Sequence, residues 1–308
     1  MEKTEWMKQV VRTGCDFHVR QEDPLKHNIL NLFSTLLLWG LCAGCFWSAP
    51  HLSFPMAIVV GLFAGTLFFG HFILVIHECS HNMFLKGLNP KQTKKINRFV
   101  GIVASAPFFT EYVLHWEKGH ITHHLQPCEE TDPQNPDPLY GKRLYDQLLR
   151  LWLIPFYFIN TNPSRKYPKA IRRFFWGLLF WSVVLFPVFS LKTLVMLVVA
   201  WNVVNTLNLL KIAQEHGGEL ANEPLPIMRS RTYFYFYPLQ MLCSPFFINY
   251  HFEHHANFNV PWYRLPEYHR AILNIVPEEL RPYYFHREYR KQMNGKKPVP
   301  NKELLASK

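Results

Sequence analysis

The histidines of this chain are concentrated in four short segments. HECSH, HITHH, EHGGE and HFEHH supply nine of the 16 histidines, namely His77, His81, His120, His123, His124, His216, His251, His254 and His255. Within a helix, residues three and four positions apart share one face, so each longer segment presents two or three imidazoles together. Neutral imidazole is a good ligand for zinc, copper, iron and nickel. The pattern therefore predicts a metal site.

The number of histidines favours two metal ions. A tetrahedral zinc site takes three or four protein ligands, which is far fewer than nine. Two ions of higher coordination number, each with one open position, use the set better. Taken singly, an HxxxH pair arises by chance, and a lone histidine such as His216 is more often a satisfied core residue. The joint occurrence of all four segments favours a dinuclear site.

Acidic residues near these segments are candidates for orienting the imidazoles, because a ligating histidine usually donates its other ring N–H to a carboxylate. These candidates are Glu78, Glu215, Glu219, Glu253 and Asp132. For Glu78 and Glu253, a solvated helix face is an equal alternative. His115 lies off the HxxHH spacing, so we expect it to lie next to the metal ligands or at the surface, and not to bind metal.

Four apolar segments predict an all-α integral membrane protein with four transmembrane helices. They cover residues 28–47, 54–76, 174–190 and 191–210, and a helix needs about 20 apolar residues to cross a bilayer. The third is at the short end of that range. The mean hydropathy of -0.07 does not reveal these segments, because it averages them with the polar remainder of the chain. The N-terminus lacks the layout of a cleaved leader, so the first span is expected to remain.

Charge gives the expected orientation. The formal net charge is +11, yet the connection 48–53 contains no Lys or Arg. Because basic loops stay on the cytoplasmic side, we expect both termini and the long segment 77–173 to be cytoplasmic. The domains are then an N-terminal arm (1–27), a membrane domain (28–285) and a basic tail (286–308). The histidine segments fall in a cytoplasmic helical cap that holds the dinuclear metal site.

The three boxes, at 77–81, 120–124 and 251–255, together with the isolated His216, resemble those of the membrane fatty acid desaturase and hydroxylase superfamily. The stretch NFNVPWYRLPEYH after the third box also resembles that family. The resemblance extends over most of the chain, from His77 to His269. It implies a stem of four spans, two ferrous ions held by the histidines, O2 as co-substrate and an apolar tunnel for a lipid chain.

Partners follow from the same resemblance and from charge. A fused haem or flavin domain is not recognisable in the sequence, so electrons are expected from a separate ferredoxin or cytochrome b5-type protein. The basic residues Lys91, Lys94, Lys95 and Arg98 could attract an acidic donor, although contact with anionic membrane lipids explains them equally well. A nucleic-acid partner is not expected for a chain that is 49% hydrophobic.

Several reactions are compatible with these residues. Fatty acyl desaturation is favoured, and a hydroxylase or ketolase of a carotenoid, sterol or alkyl chain is the alternative within the same fold. Spacing alone does not separate a second hydrogen abstraction from oxygen transfer. A membrane zinc hydrolase needs one zinc ion and a general base, which leaves about five clustered histidines without a role. A non-catalytic receptor that retains the metal site is a third reading, but every box is intact.

Overall fold

A computed structural model describes residues 5–19, 23–134, 142–154, 157, 170–216, 218–236 and 239–286. The side chains of residues 142, 170–172, 218, 219 and 286 are outside this description. The predicted tail 286–308 therefore lies outside the described residues, apart from the backbone of residue 286. The N-terminal arm is described at residues 5–19 and 23–27.

The described chain is mostly helical, as the sequence predicts. The helices are α1 (Glu5–Gly14), α2 (Pro24–Ser48), α3 (Phe54–Ser80), α4 (Pro90–Ser105), α5 (Gly119–Leu125), α6 (Lys142–Leu153), α7 (Ala170–Leu185), α8 (Leu191–Glu215), α9 (Leu239–Cys243), α10 (His251–Ala256), α11 (Leu265–Ile272) and α12 (Arg281–Tyr284). Strands β1 (Thr232–Tyr233) and β2 (Phe285–His286) pair in parallel. Two π-helical segments are Phe72–His77, inside α3, and Tyr112–Lys118, before α5.

Three of these helices are long and apolar enough to cross a membrane. They are α2 with its 3₁₀ extension, at Pro24–His51, then α3 and α8. The third apolar segment, predicted at 174–190, forms a shorter apolar helix, Arg173–Val188. Sixteen residues at 1.5 Å each span roughly 24 Å, against about 30 Å of bilayer hydrocarbon. The structure thus supplies three candidate spans and one shorter apolar helix among the described residues.

Helix starts follow local chemistry. The side chain of Ser53 precedes α3 and accepts a hydrogen bond from the backbone N–H of Met56. Asn89 caps α4 through the N–H of Gln92 at 2.9 Å. Such caps satisfy backbone donors that the first helical turn leaves without partners. They fix where α3 and α4 begin, and hence which of the following residues lie on each face of the helix.

Helices α3 and α8 pack closely through small residues. A Cβ atom on Gly65 would lie 2.5 Å from Cβ of Val203, and one on Gly61 would lie 3.1 Å from Cβ of Val199. The GxxxG spacing of these glycines lets helix backbones approach one another, which is a common packing mode in membranes. This contact brings the C-terminal ends of α3 and α8, and therefore the first box and His216, to the same end of the bundle.

Helices α1, α10, α11 and α12 share a second apolar core. Trp6 and Val10 of α1 are buried with Phe252 of α10, Tyr268 of α11 and Tyr284 of α12. The hydroxyl of Tyr268 also donates a hydrogen bond to the carbonyl of Val10 at 2.8 Å. The N-terminal helix is thus packed directly on the elements that carry and follow the third histidine box.

Candidate metal centre

The nine histidines of the four segments come together in two adjacent, buried groups. The first group contains His77, His81, His120, His124 and His254, and the second contains His123, His216, His251 and His255. Within each group, the nitrogens that could bind an ion all lie within 4.8 Å of one another. The groups touch, since the ring centroids of His124 and His255 are 4.1 Å apart.

The two HxxHH boxes interlock. In α5, His120 and His124 belong to the first group, while His123 between them belongs to the second. The third box, in α10, divides in the opposite sense: its middle histidine, His254, joins the first group. Residues four apart stay on one helix face, whereas the intervening residue is rotated away from that face. Helices α5 and α10 therefore each supply both groups.

The other histidines come from the ends of the long helices. His77 closes the π-helical segment of α3, and His81 follows α3 directly. His216 forms the C-terminal cap of α8. A second π-helical segment, Tyr112–Lys118, leads into α5. Short π-helical segments are rare and occur frequently at functional sites, because the extra residue re-aims the side chains that follow.

Hydrogen bonds behind the rings fix their orientation. Nδ1 of His123 lies 2.9 Å from Oδ2 of Asp132, and Nδ1 of His216 lies 2.8 Å from the carbonyl oxygen of Arg229. Nδ1 of His77 is 3.2 Å from Oε1 of Glu78. In each case the ring N–H points outward, so Nε2 is left to face the centre. The carboxylates of Asp132 and Glu78 thus contact the Nδ1 atoms of His123 and His77.

The remaining candidates occupy different surroundings. Oε2 of Glu215 lies 3.3 Å from Nε2 of His251. The hydrogen bonds of Glu253 connect it to Thr232 and His269, and so tie α10 to β1 and α11. The side chain of Glu219 lies outside the described residues. His115 is buried and lies outside both groups.

Some contacting residues escape sequence reasoning. The side-chain nitrogen of Gln134 is 3.1 Å from Nδ1 of His120, and Lys211 lies 2.6 Å from Glu215. The four-residue spacing of Lys211 and Glu215 on one helix was a usable signal. The Gln134 contact and the Arg229 carbonyl depend on loop geometry, which residue type and spacing do not reveal.

Burial keeps the imidazoles neutral. Removal from water, together with smaller contributions from His123 and Lys86, lowers the pKa of His81 to about 3. For the other histidines outside the long helices whose pKa is shifted, burial is again the main cause, and the proximity of other histidines is a further cause in each case. The pKa lies well below the usual value for His120, His124, His216, His251, His254 and His255. Neutral imidazole is the form that binds metal.

The buried nitrogens fit metal ions. Among the described residues, Nε2 of His77, Nε2 of His254 and both ring nitrogens of His81 and of His255 have no hydrogen-bond partner. A buried polar atom left unsatisfied costs about 1–3 kcal/mol, and a bound ion removes that cost. Nε2 of His120 and Nε2 of His124 are 3.3 Å apart, close to the roughly 3 Å separating neighbouring ligands with about 2.1 Å bonds.

An apolar cavity of about 830 Å³ lies between α4, the segment 109–113 and α7. Its lining includes Ile102, Tyr112 and Phe180, with Glu111 and Arg173 among its polar residues. The π-helical segment that begins at Tyr112 carries Trp116, whose ring centroid is 5.3 Å from that of His120. The cavity has the size and lining of a site for an apolar ligand.

Comparison with known proteins agrees with this site. A family model of fatty acid desaturases matches residues 53–287, about three quarters of the chain. Sphingolipid delta(4)-desaturase DES1 of Mus musculus is 27% identical over 84% of this chain and 77% of its own length. Sphingolipid delta(4)-desaturase/C4-monooxygenase DES2 of Homo sapiens is 28% identical over 69% of this chain and 62% of its own length. With its histidine boxes and this family match, the chain belongs to the fatty acid desaturase family and is an oxidoreductase.

Proposed function

We propose that this enzyme oxidises an unactivated C–H bond of a lipid acyl chain with O2, most simply to a double bond, at two iron ions held by the nine histidines. The observation that carries the proposal is the division of nine buried histidines into adjacent groups of five and four. Together with the desaturase family match, this division supports a dinuclear oxygen-dependent site over other uses of the same residues.

The ligand number favours iron over zinc. Five imidazoles in the first group exceed the four positions of tetrahedral zinc, whereas imidazole also suits iron at higher coordination numbers. A zinc hydrolase would need one such ion and a general base. It would leave one whole histidine group without a function. The hydrolase alternative is therefore poorly supported.

The chain's own residues hold and shield the site. When bound, the iron pair supplies the reduction of O2 and the abstraction of hydrogen from a methylene group. Asp132 accepts the N–H of His123 and so fixes that ring. Phe258 stacks on His81 with a centroid separation of 5.0 Å and helps to exclude water. The shape of the apolar cavity would position the methylene groups of an acyl chain, because the hydrocarbon part of the chain offers no polar group for a hydrogen bond.

The relatives suggest which substrate to test first. Their names describe action on sphingolipids, and the cavity lining suits a long alkyl chain. We therefore infer a long-chain acyl or sphingoid lipid as substrate. Hydroxylation is the second candidate, because the human relative is named as both a desaturase and a C4-monooxygenase. A ketolase or hydroxylase of carotenoids or sterols has no such observation in its favour.

The membrane arrangement is part of the proposal. We infer four spans, with the short apolar helix α7 as the third along the chain, and a cytoplasmic cap that carries both termini. The connection 48–53 lacks basic residues, whereas Lys91, Lys94 and Lys95 are exposed on α4. These lysines form a basic surface that could bind an acidic electron donor, either a ferredoxin or a cytochrome b5-type protein.

The test is lipid analysis of a eukaryotic host that makes sphingolipids and supplies a cytochrome b5 reductase system. Wild type is compared with His124→Ala, which removes a candidate ligand, and with His51→Ala, which removes an exposed histidine far from both groups. We expect lipids lacking two hydrogens in wild type and His51→Ala, and none in His124→Ala. A gain of one oxygen assigns hydroxylation. Lipid cleavage that continues without O2 would support the zinc hydrolase and contradict the proposal.

A further inference from the structure

The second histidine group has one imidazole fewer than the first, and a carboxylate lies beside it. Glu215 is the last residue of α8, directly before His216, and its side chain is fully buried. Its Oε2 lies 3.3 Å from Nε2 of His251. That same nitrogen is 2.8 Å from Nε2 of His216. Three possible donor atoms from these residues are therefore close together.

The orientation of the rings shows which side of His251 the carboxylate occupies. Nδ1 of His216 is engaged by the Arg229 carbonyl, so its Nε2 is the atom that faces the centre. Two nitrogens bound to one ion at about 2.1 Å, at right angles, lie about 3 Å apart. The 2.8 Å separation of the two Nε2 atoms fits that arrangement. Nε2 of His251 therefore also faces the centre, and Glu215 approaches this nitrogen on its metal-facing side.

The outward nitrogen of His251 has a different environment. Its Nδ1 is buried and has no hydrogen-bond partner in the part of the chain that the structure describes. An orienting carboxylate would be expected at this outward position, as Asp132 is for His123. Glu215 is not there. Its geometry differs from that of the orienting residues in the same site.

Lys211 holds the carboxylate in place. Nζ of Lys211 lies 2.6 Å from Oε2 of Glu215, one helical turn away, and both side chains are buried. The lysine compensates a negative charge that would otherwise be costly to bury. Oε1 of Glu215 remains buried without a hydrogen-bond partner among the described residues. A buried carboxylate that lies against the metal-facing nitrogen of His251, with its second oxygen free, has the character of a metal ligand.

We propose that Glu215 is a protein ligand of the second metal ion, and that Lys211 is a positioning residue for it. The first ion then has five nitrogen ligands, and the second has four nitrogens and one oxygen. Mixed imidazole and carboxylate coordination is well suited to non-haem iron. The assignment rests on the dinuclear centre proposed above. It makes the two ions chemically different, with the anionic ligand on one side only.

The experiment is iron analysis and Mössbauer spectroscopy of purified protein loaded with ⁵⁷Fe(II). Glu215→Gln is compared with Glu253→Gln, a matched loss of a buried carboxylate that contacts Thr232 and His269 instead. We expect two iron ions per wild-type chain and two ferrous signals. In Glu215→Gln, one signal should change or the iron content should fall to about one, while the other signal stays. Glu253→Gln should retain both signals.

A second variant covers the case in which Glu215→Gln does not fold. Lys211→Met keeps the carboxylate and removes its positioning charge, so it should retain two ions with a change confined to one signal. Two unchanged signals in both Glu215→Gln and Lys211→Met would overturn the assignment, as would a wild-type chain that binds one ion. If wild type binds two ions but oxidises no lipid, the proposed function fails, and the Glu215 assignment is still decided by the spectra.

Discussion

Oδ2 of Asp132 lies 2.9 Å from Nδ1 of His123. The same oxygen accepts a hydrogen bond from the backbone N–H of Cys128 at 2.9 Å, and Oδ1 accepts one from the N–H of Gln134 at 2.8 Å. The side chain of Gln134 in turn reaches His120. The loop after the second box is therefore tied to one histidine of each group, and Asp132 is at its centre.

Replacing Asp132 should weaken metal binding. In Asp132→Asn, the amide no longer stabilises the His123 N–H as an anion does, and losses of about 10–100-fold in metal affinity are typical of such changes. The measurement is metal release under competition with a chelator. Asp146→Asn is the control, because Asp146 is half-exposed and pairs with Arg150 at the surface. Equal release from the two variants would contradict this role for Asp132.

The metal-free protein should become less stable as the pH falls. Burial lowers the pKa of His81 to about 3, while an unfolded histidine titrates near 6.5. Below about pH 6.5 the unfolded chain therefore binds more protons than the folded chain, which favours unfolding. Each such histidine contributes about 1.4 kcal/mol per pH unit in the window from about 6.5 down to its folded pKa.

The check is the thermal midpoint of metal-free protein between pH 7.5 and pH 5.5. The thermal midpoint of His81→Asn should depend less steeply on pH than that of wild type, because the variant lacks one of the histidines that the folded state keeps unprotonated. His51→Ala changes an exposed histidine and should keep the wild-type slope. A midpoint that rises on acidification would contradict the expected sign.

Enlarging Gly65 should separate α3 from α8. The added Cβ of Gly65→Ala would lie 2.5 Å from Cβ of Val203 and 2.8 Å from the carbonyl oxygen of Ala200, so a backbone has to move. Overpacking of this kind costs about 1–3 kcal/mol. Gly44→Ala is the matched control, because its added Cβ meets nothing within 4 Å. The thermal midpoint in detergent should fall for the first variant alone, and equal midpoints would contradict the close packing.

Removing Trp6 should loosen the third histidine box. This side chain is 1% exposed and packs against Tyr284, with ring centroids 6.1 Å apart. A Trp→Ala change in a core costs about 3–5 kcal/mol. We expect faster hydrogen exchange in α10 and α11, and faster metal loss. Val11→Ala, on the exposed side of α1, should leave both unchanged; matching exchange rates in the two variants would argue against the contact.

The proposed orientation is testable with the protein's own cysteine. Cys15 is exposed and belongs to the cap, whereas His51 lies in the connection between α2 and α3. In sealed microsomes with the cytoplasmic face outward, a membrane-impermeant maleimide should label Cys15 directly. In a His51→Cys variant, it should label the introduced cysteine only after permeabilisation. Labelling of both positions before permeabilisation would overturn the four-span arrangement.

The long helices were largely predictable from sequence. The apolar segment 28–47 lies within α2, and 54–76 lies within α3, because side chains facing lipid must be apolar. The apolar segment does not give the end of α3, which continues to Ser80. Hydrophobicity ends at Ile76, yet the polar side chains of His77 and Glu78 are buried as well. Apolar segments alone do not locate a helix that continues into a polar but buried site.

The division of the histidines was less predictable. Spacing predicts that His120, His123 and His124 lie near one another on α5, but it does not reveal that His123 faces a different group. That division depends on where α8 and α10 lie relative to α5. The π-helical segments are also missed, because a search for a 3.6-residue period assumes an uninterrupted α-helix. These properties arise only from the tertiary structure.

The docking of α1 on α11 has a consequence for biosynthesis. The hydrogen bond between Val10 and Tyr268 joins residues 258 positions apart, and His18 meets Asn257 across 239 positions. Contacts of such sequence separation form late, after the intervening chain has been made. Helix α1 therefore leaves the ribosome well before the helix on which it packs. The contacts between α1 and α11 can form only after all nine histidines of both groups have been synthesised, because His255 precedes α11 along the chain.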